Sequence, residues 1–288
     1  MQKRLSVWLL FVLALGIAVP LLMRISHPYI REATIARRIQ AIGGIVEWQE
    51  RRTTVPQFNP AAYRVEEVKV LGKNIPMEVL NDLRHFRGTK RMSVRSTRAS
   101  DDWLQQMATQ ADLESLTIAD TEISDDGLVG VEAFAVLRAL DISGLQVGDR
   151  GLLFVCELKQ LQSLSMRSTQ ITNDAMDGVG KMNRLMFLDV GDTGVGNSGL
   201  EKVLGLADLR YLGAEKTRVG DSGLSGLQNL RRLERLSLRG TDVTDAGLKS
   251  ITKIGSLVWL DVRETHVTVE GRNMIRNILP QCEVLPFP

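Results

Sequence analysis

From Leu113 to Val267 the sequence repeats every 24 residues without an insertion. Leu113, Leu116, Ile118, Thr121 and Ile123 recur as Leu137, Leu140, Ile142, Leu145 and Val147. The same positions return down the chain, ending at Leu257, Leu260, Val262, Thr265 and Val267. Met92, Val94, Thr97 and Ala99 fit one unit earlier, and Val65, Val68, Val70 and Ile75 two units earlier. Nine strand-bearing units are therefore expected, the first two degenerate, as terminal repeats often are. A unit this small cannot bury its own apolar face, so the units must stack into a solenoid.

Each unit has two halves. The Leu-x-Leu half reads as a short strand that sends its leucines inwards. The other half carries Ser124-Asp-Asp-Gly-Leu128, Gly148-Asp-Arg-Gly-Leu152 and Thr244-Asp-Ala-Gly-Leu248. Ser, Thr, Asp and Asn there can accept hydrogen bonds from the free amides of a helix start. Apolar residues follow at steps of three, as in Leu248, Ile251 and Ile254, which suits a short, tight helix facing inwards. The recurrent Thr sits where the strand turns out, and its hydroxyl is expected to bond backbone groups at that turn.

These residues resemble the leucine-rich repeat family, over roughly Val65 to Val267. The Thr-x-Ile/Val-Thr/Ser-Asp-x-Gly-Leu half is similar to the ribonuclease-inhibitor-like subclass, with Thr where that subclass often has Asn or Cys. The resemblance implies an α/β solenoid, with parallel strands on the concave side and short helices on the convex side. The whole layout is similar to bacterial membrane-anchored repeat proteins, which implies compartment and fold but no activity.

Ahead of the repeats, Leu5 to Met23 runs without a charge between Arg4 and Arg24. At about 1.5 Å per residue, such a run is long enough to cross the hydrocarbon layer. Three readings stand: an uncleaved single-pass anchor, favoured because Val19 to Met23 continues the apolar run, a secretory signal cleaved near Gly16-Ile17-Ala18, and a buried soluble helix. The side of the membrane is open. Arg24, Arg31, Arg37 and Arg38 outweigh Lys3 and Arg4, whereas a signal anchor would usually export the chain on its C-terminal side. Residues 25–60 read as an N-terminal cap. A helix starts near Ser26, carries Ile35, Ile39 and Ile42 on one face and stops at Gly43-Gly44. A strand over Ile45–Trp48 and a loop from Gln49 to Pro60 follow. The chain thus divides into an anchor over 1–24, this cap, a solenoid over 61–270 and a closing cap over 271–288.

Nothing in the composition converges on catalysis. Two Cys and three His leave few ligands for a metal and no disulfide framework. Cys156, expected buried, has no His placed near it by the repeat. Gly178-x-Gly180 and Gly194-x-Gly196 lack the rest of a phosphate-binding fingerprint. No cofactor is implied, and a net charge of +2 gives no reason to expect nucleic acid.

Function is then expected on the concave strands, where side chains flanking the inward leucines face out. One column reads Ser115, Ala139, Ser163, Phe187, Tyr211, Arg235, Trp259. Its C-terminal end gathers aromatics and Arg235, with Asp189, Glu215, Arg239, Asp261 and Arg263 around them. Arg235 is placed to lie against Tyr211 or Trp259. Aromatics and Arg amid mixed charge have the composition of an interaction hot spot. Phe187, Asp189, Tyr211, Glu215, Arg235, Arg239, Trp259, Asp261 and Arg263 are therefore the candidate site for a protein or peptide partner. The alternative is a structural or self-assembling repeat at the membrane, homo-oligomers included, in which these side chains only cover one another.

Overall fold

A computed structural model describes residues 31–50, 63–86, 88–110 and 112–285. The expected membrane segment over 5–23 lies outside them, as do the helix start near Ser26 and the loop over 51–60. Among the described residues no helix is long and apolar enough to cross a membrane.

Among the described residues, one sheet of eleven strands runs in sequence order. The first two, β1 (Ile45–Glu50) and β2 (Tyr63–Leu71), pair antiparallel. Thereafter every pairing is parallel: β3 (Arg91–Arg95), β4 (Ser115–Thr117), β5 (Ala139–Asp141), β6 (Ser163–Ser165), β7 (Phe187–Asp189), β8 (Tyr211–Gly213), β9 (Arg235–Ser237), β10 (Trp259–Asp261) and β11 (Glu283–Val284). The register is the sequence period. Leu116 faces Leu140, then Leu164, Leu188, Leu212, Leu236 and Leu260, and all are buried. Short α-helices (Asp149–Val155, Asn197–Val203, Asp245–Ile251) and 3-10 turns (Val131–Ala133, Asp221–Leu224) cover the other side, with Leu152, Leu200, Leu224 and Leu248 fully buried.

The N-terminal end departs from the expected layout. The first strand continues through Gln49 and Glu50, which were expected to begin a loop, because it finds an antiparallel partner in β2. The helix over residues 31–41 buries Ile35, Ala36 and Ile39 in the common core. Ile42 stays 37% exposed, because the helix ends before it and Gly43 turns the chain with φ +82°. At the far end the helix Val269–Ile278 buries Ile275, and β11 adds a last parallel strand beside Leu279 and Cys282.

The recurrent Thr does what its place suggests. The hydroxyls of Thr121, Thr169, Thr193, Thr217, Thr241 and Thr265 each donate to the carbonyl three residues back, at 2.6–2.8 Å. The Thr241 bond is buried, so Thr241→Val should lower unfolding free energy by about 1–3 kcal/mol. A urea melt indistinguishable from the parent would contradict this role.

The residue before that Thr position was not singled out by sequence. Ser96, Asp120, Gly144, Ser168, Asp192, Lys216, Gly240 and Glu264 all have φ between 51° and 71°. Each from Ser96 to Gly240 donates its N–H to a carbonyl 23 residues on, at 2.6–2.9 Å, as Lys216 does to Arg239. The left-handed turn thus carries the ladder past the end of the formal strand. Lys216 tolerates it at a local cost, because its amide would otherwise be left without a partner.

The helix-start residues serve two units. Ser124, Thr172 and Thr244 accept from amides two residues on, as expected of caps. The following acid or amide instead belongs to the next unit. Asp101, Asp125, Asp149, Asn173, Asn197, Asp221 and Asp245 each accept from the backbone N–H 23 residues ahead, at 2.7–2.9 Å. Where that next residue has a hydroxyl, as at Thr244, it donates to the second carboxylate oxygen at 2.7 Å. The glycine three residues past six of the seven bonded amides is explained by the same rung; Ala175 stands past the seventh. A Cβ at Gly127, Gly151, Gly199, Gly223, Gly247 or Gly271 would lie 2.0–2.5 Å from the Oδ1 of the preceding unit. Trp103 stands in this column one unit before the first rung, where Met77 rather than an acid occupies the earlier position.

Candidate functional site

The concave sheet brings the predicted residues together as pairs. Phe187 and Tyr211, adjacent in the β7–β8 register, stack with ring centroids 4.3 Å apart and planes 5° from parallel. Arg235 lies over Trp259, 4.9 Å from the ring centroid, and not against Tyr211. Asp261 is almost wholly buried and accepts both Nε (2.9 Å) and Nη2 (2.7 Å) of Arg263. Arg239 turns to the rim and pairs with Glu264.

Glu215 is held from two sides. Ser237 Oγ donates to it at 2.8 Å, and Arg167 Nη2 approaches at 2.7 Å. Arg167 was not among the residues picked from sequence. It starts two strands away and reaches Glu215 across Gly191. A Cβ on Gly191 would lie 2.6 Å from Arg167 Nη1, so the glycine is what lets the arginine lie flat. The signal was present in the sequence as a long cationic residue followed, one unit on, by a glycine in the same column. Gly213 likewise opens space, since a Cβ there would lie 2.8 Å from Asp189 Oδ1.

Asp189 is 8% exposed and accepts the Gly191 amide at 2.8 Å, with Arg167 Nη1 3.9 Å away. Burial pushes its carboxyl pKa above the ordinary value, against the pull of that amide and of Arg167. Burial, with the nearby Asp189 and Glu215 charges, also pushes Tyr211 up to about 12, so it is a neutral phenol at physiological pH. A carboxyl whose pKa is raised by folding opposes stability above that pKa, and the opposition fades as pH falls through it. Asp189→Asn should therefore raise stability near neutral pH. The gain should shrink in acid, as read from melting temperatures across pH.

Towards the N-terminus the concave surface sinks into a depression of ≈ 280 Å³ lined by Ser115, Ala139, Asp141, Ser163 and Ser165, with Phe187 as a wall. Elsewhere, Cys156 is half-buried rather than buried, and burial pushes its thiol up to about 11; Cys282 is likewise raised to about 11. Neither supplies a thiolate nucleophile at neutral pH. Gly178 is needed for packing, since a Cβ there would meet Cys156 Sγ at 2.7 Å. His266 is exposed, in an isolated parallel bridge with Thr244. Among the described residues no group of three or more His, Cys, Asp or Glu is placed to hold a metal ion.

Stacked parallel strands, 24-residue periodicity and a side chain-bearing concave face define a repeat solenoid. The sequence profile of the leucine-rich repeat region matches residues 112–282, and the chain belongs to the leucine-rich repeat family. Domains of this family are typically non-enzymatic protein-interaction modules. The fold is similar to that of an internalin (inlF) from Listeria monocytogenes, with a TM-score of 0.60 at 20% identity, covering 73% of this chain and 57% of that one. The chain thus spans a little over half the length of that structure. Internalin C2 (inlC2) from the same organism gives a TM-score of 0.52 at 18% identity, covering 73% of this chain and 83% of that one. A comparison with curated proteins finds no match.

Proposed function

We propose that this chain is a single-pass, membrane-anchored recognition module that takes a protein or peptide on its concave face. Its organisation would be an anchor over 1–24, a cap over 25–60, a solenoid over 61–270 and a closing cap over 271–288. The observation that carries the reading is the aromatic–arginine column. The Phe187–Tyr211 stack and the Arg235–Trp259 pair sit part-exposed on a rigid sheet. Side chains already ordered by one another lose little entropy on binding. The anchor rests on the charge-free run from Leu5 to Met23.

The full chain, cross-linked in membranes and recovered with its partners, tests this reading. Tyr211→Ala/Trp259→Ala should keep the fold and cut capture of a specific partner at least tenfold. Capture unchanged by the double substitution would move the site off this column. A second reading comes from the same contacts. The pairs satisfy one another, as they would in a structural or self-assembling repeat, and self-association of the full chain with no specific capture would favour it.

A further inference from the structure

We infer that the depression beside Phe187 is a subsite for an arginine side chain of the partner, a step that rests on the concave-face reading. Phe187 is covered on one side by Tyr211, so its other ring face looks towards the opposite neighbour, Ser163. Beyond Ser163 the same column continues with Ala139 and Ser115. These side chains carry only a hydroxyl or a methyl and leave the ring face open onto the depression.

The molecule shows what fills such a place. Three units further along, Arg235 occupies the position next to Trp259 that Ser163 occupies next to Phe187. Its guanidinium lies on the indole at 4.9 Å. At Phe187 the chain supplies the ring and omits the cation.

Charge points the same way. Asp141 lines the depression. Its Oδ1 accepts the amide (3.0 Å) and hydroxyl (2.5 Å) of Ser143. Among the described residues no Lys or Arg forms an ion pair with it. Arg167, the cation of the adjacent unit, is drawn away over Gly191 to Glu215. Asp189 and Glu215 thus share Arg167, and Asp141 is left without an ion-pair partner among the described residues. A planar guanidinium can stack on the ring and present N–H groups to the carboxylate together. An ammonium offers the charge without the plane, and a neutral urea the plane without the charge.

The test uses the full chain in mild detergent and three blocked peptides, Gly-Gly-X-Gly-Gly, where X is arginine, lysine or citrulline. Ligand-observed NMR titration gives the affinities. The arginine peptide should bind at least fivefold more tightly than the other two. Asp141→Asn should weaken it about tenfold, and Ser163→Arg, which brings a resident guanidinium to the ring, should abolish it. Lys249→Ala, at an exposed position of the helix Asp245–Ile251, should leave it unchanged. Circular dichroism melts confirm that each variant is folded. Equal binding of the arginine and citrulline peptides, undiminished binding by Asp141→Asn, or no binding of the arginine peptide would each overturn the subsite. If partner capture is still lost in Tyr211→Ala/Trp259→Ala under those outcomes, only the subsite falls and the concave-face reading stands.

Discussion

Asp221→Ala should lower the unfolding free energy by about 3 kcal/mol, more than any exposed substitution in the solenoid. Asp221 sits at a helix start but bonds the amide (2.8 Å) and hydroxyl (2.7 Å) of Thr244 in the next unit. Its loss leaves an amide at the junction of two units without its acceptor. Stability in a solenoid is close to a sum of unit and interface contributions, so one weakened interface can also divide the cooperative transition. Urea unfolding followed by both fluorescence and circular dichroism measures this. A midpoint within error of the parent would show that water replaces the carboxylate at no cost.

Gly247→Ala should also destabilise, by about 1–3 kcal/mol, although alanine in a helix is ordinarily favoured over glycine by roughly 1 kcal/mol. The sign inverts because of the same rung. A Cβ at Gly247 would lie 2.4 Å from Asp221 Oδ1 and 3.1 Å from its Cα. Ala175 shows that the position can be adapted. It stands in the same column, its unit opens with the 3-10 turn Asn173–Ala175, and Asp149 still bonds Thr172 there. Gly247 lies inside a seven-residue α-helix, which has less room to shift. Combining the two substitutions should cost less than their sum, because removing the carboxylate frees the space that the new methyl needs. Strict additivity in that cycle would contradict the steric account.

The regular part of the fold was legible because the period never slips. An unbroken interval of 24 residues is enough to say which leucines meet on neighbouring strands. The hairpin of β1 and β2 was half legible. Ile45–Trp48 has the pattern of a strand, but nothing local says that it will pair antiparallel and so extend through Glu50. The Asp and Asn rungs were assigned to the wrong amides for a related reason. In a stack, a residue's own helix and the next unit lie at similar reach, and spacing along the chain does not distinguish them.

The candidate site was legible as a column but not as contacts. Phe187, Tyr211, Arg235 and Trp259 could be placed on neighbouring strands, yet the choice of Trp259 over Tyr211 by Arg235 depends on which ring is already stacked. Arg167 was passed over because its own neighbours, Ser143 and Gly191, look unremarkable; its partner is two strands away, and the intervening glycine makes the contact possible. Column reading weighs what each residue is, and here the residue without a side chain mattered as much.

The rungs have a mechanical consequence. Each of them ties one unit only to its immediate successor. Drawn from its C-terminal end, the stack has no bond that spans two interfaces through this set, so load concentrates on the outermost junction. Such a chain would give way in even increments, each releasing one unit, or roughly 80 Å of extended backbone at about 3.4 Å per residue. If the first residues are held in a membrane, as proposed, a partner pulling on the C-terminal side would meet a ratchet whose tooth spacing is the sequence period.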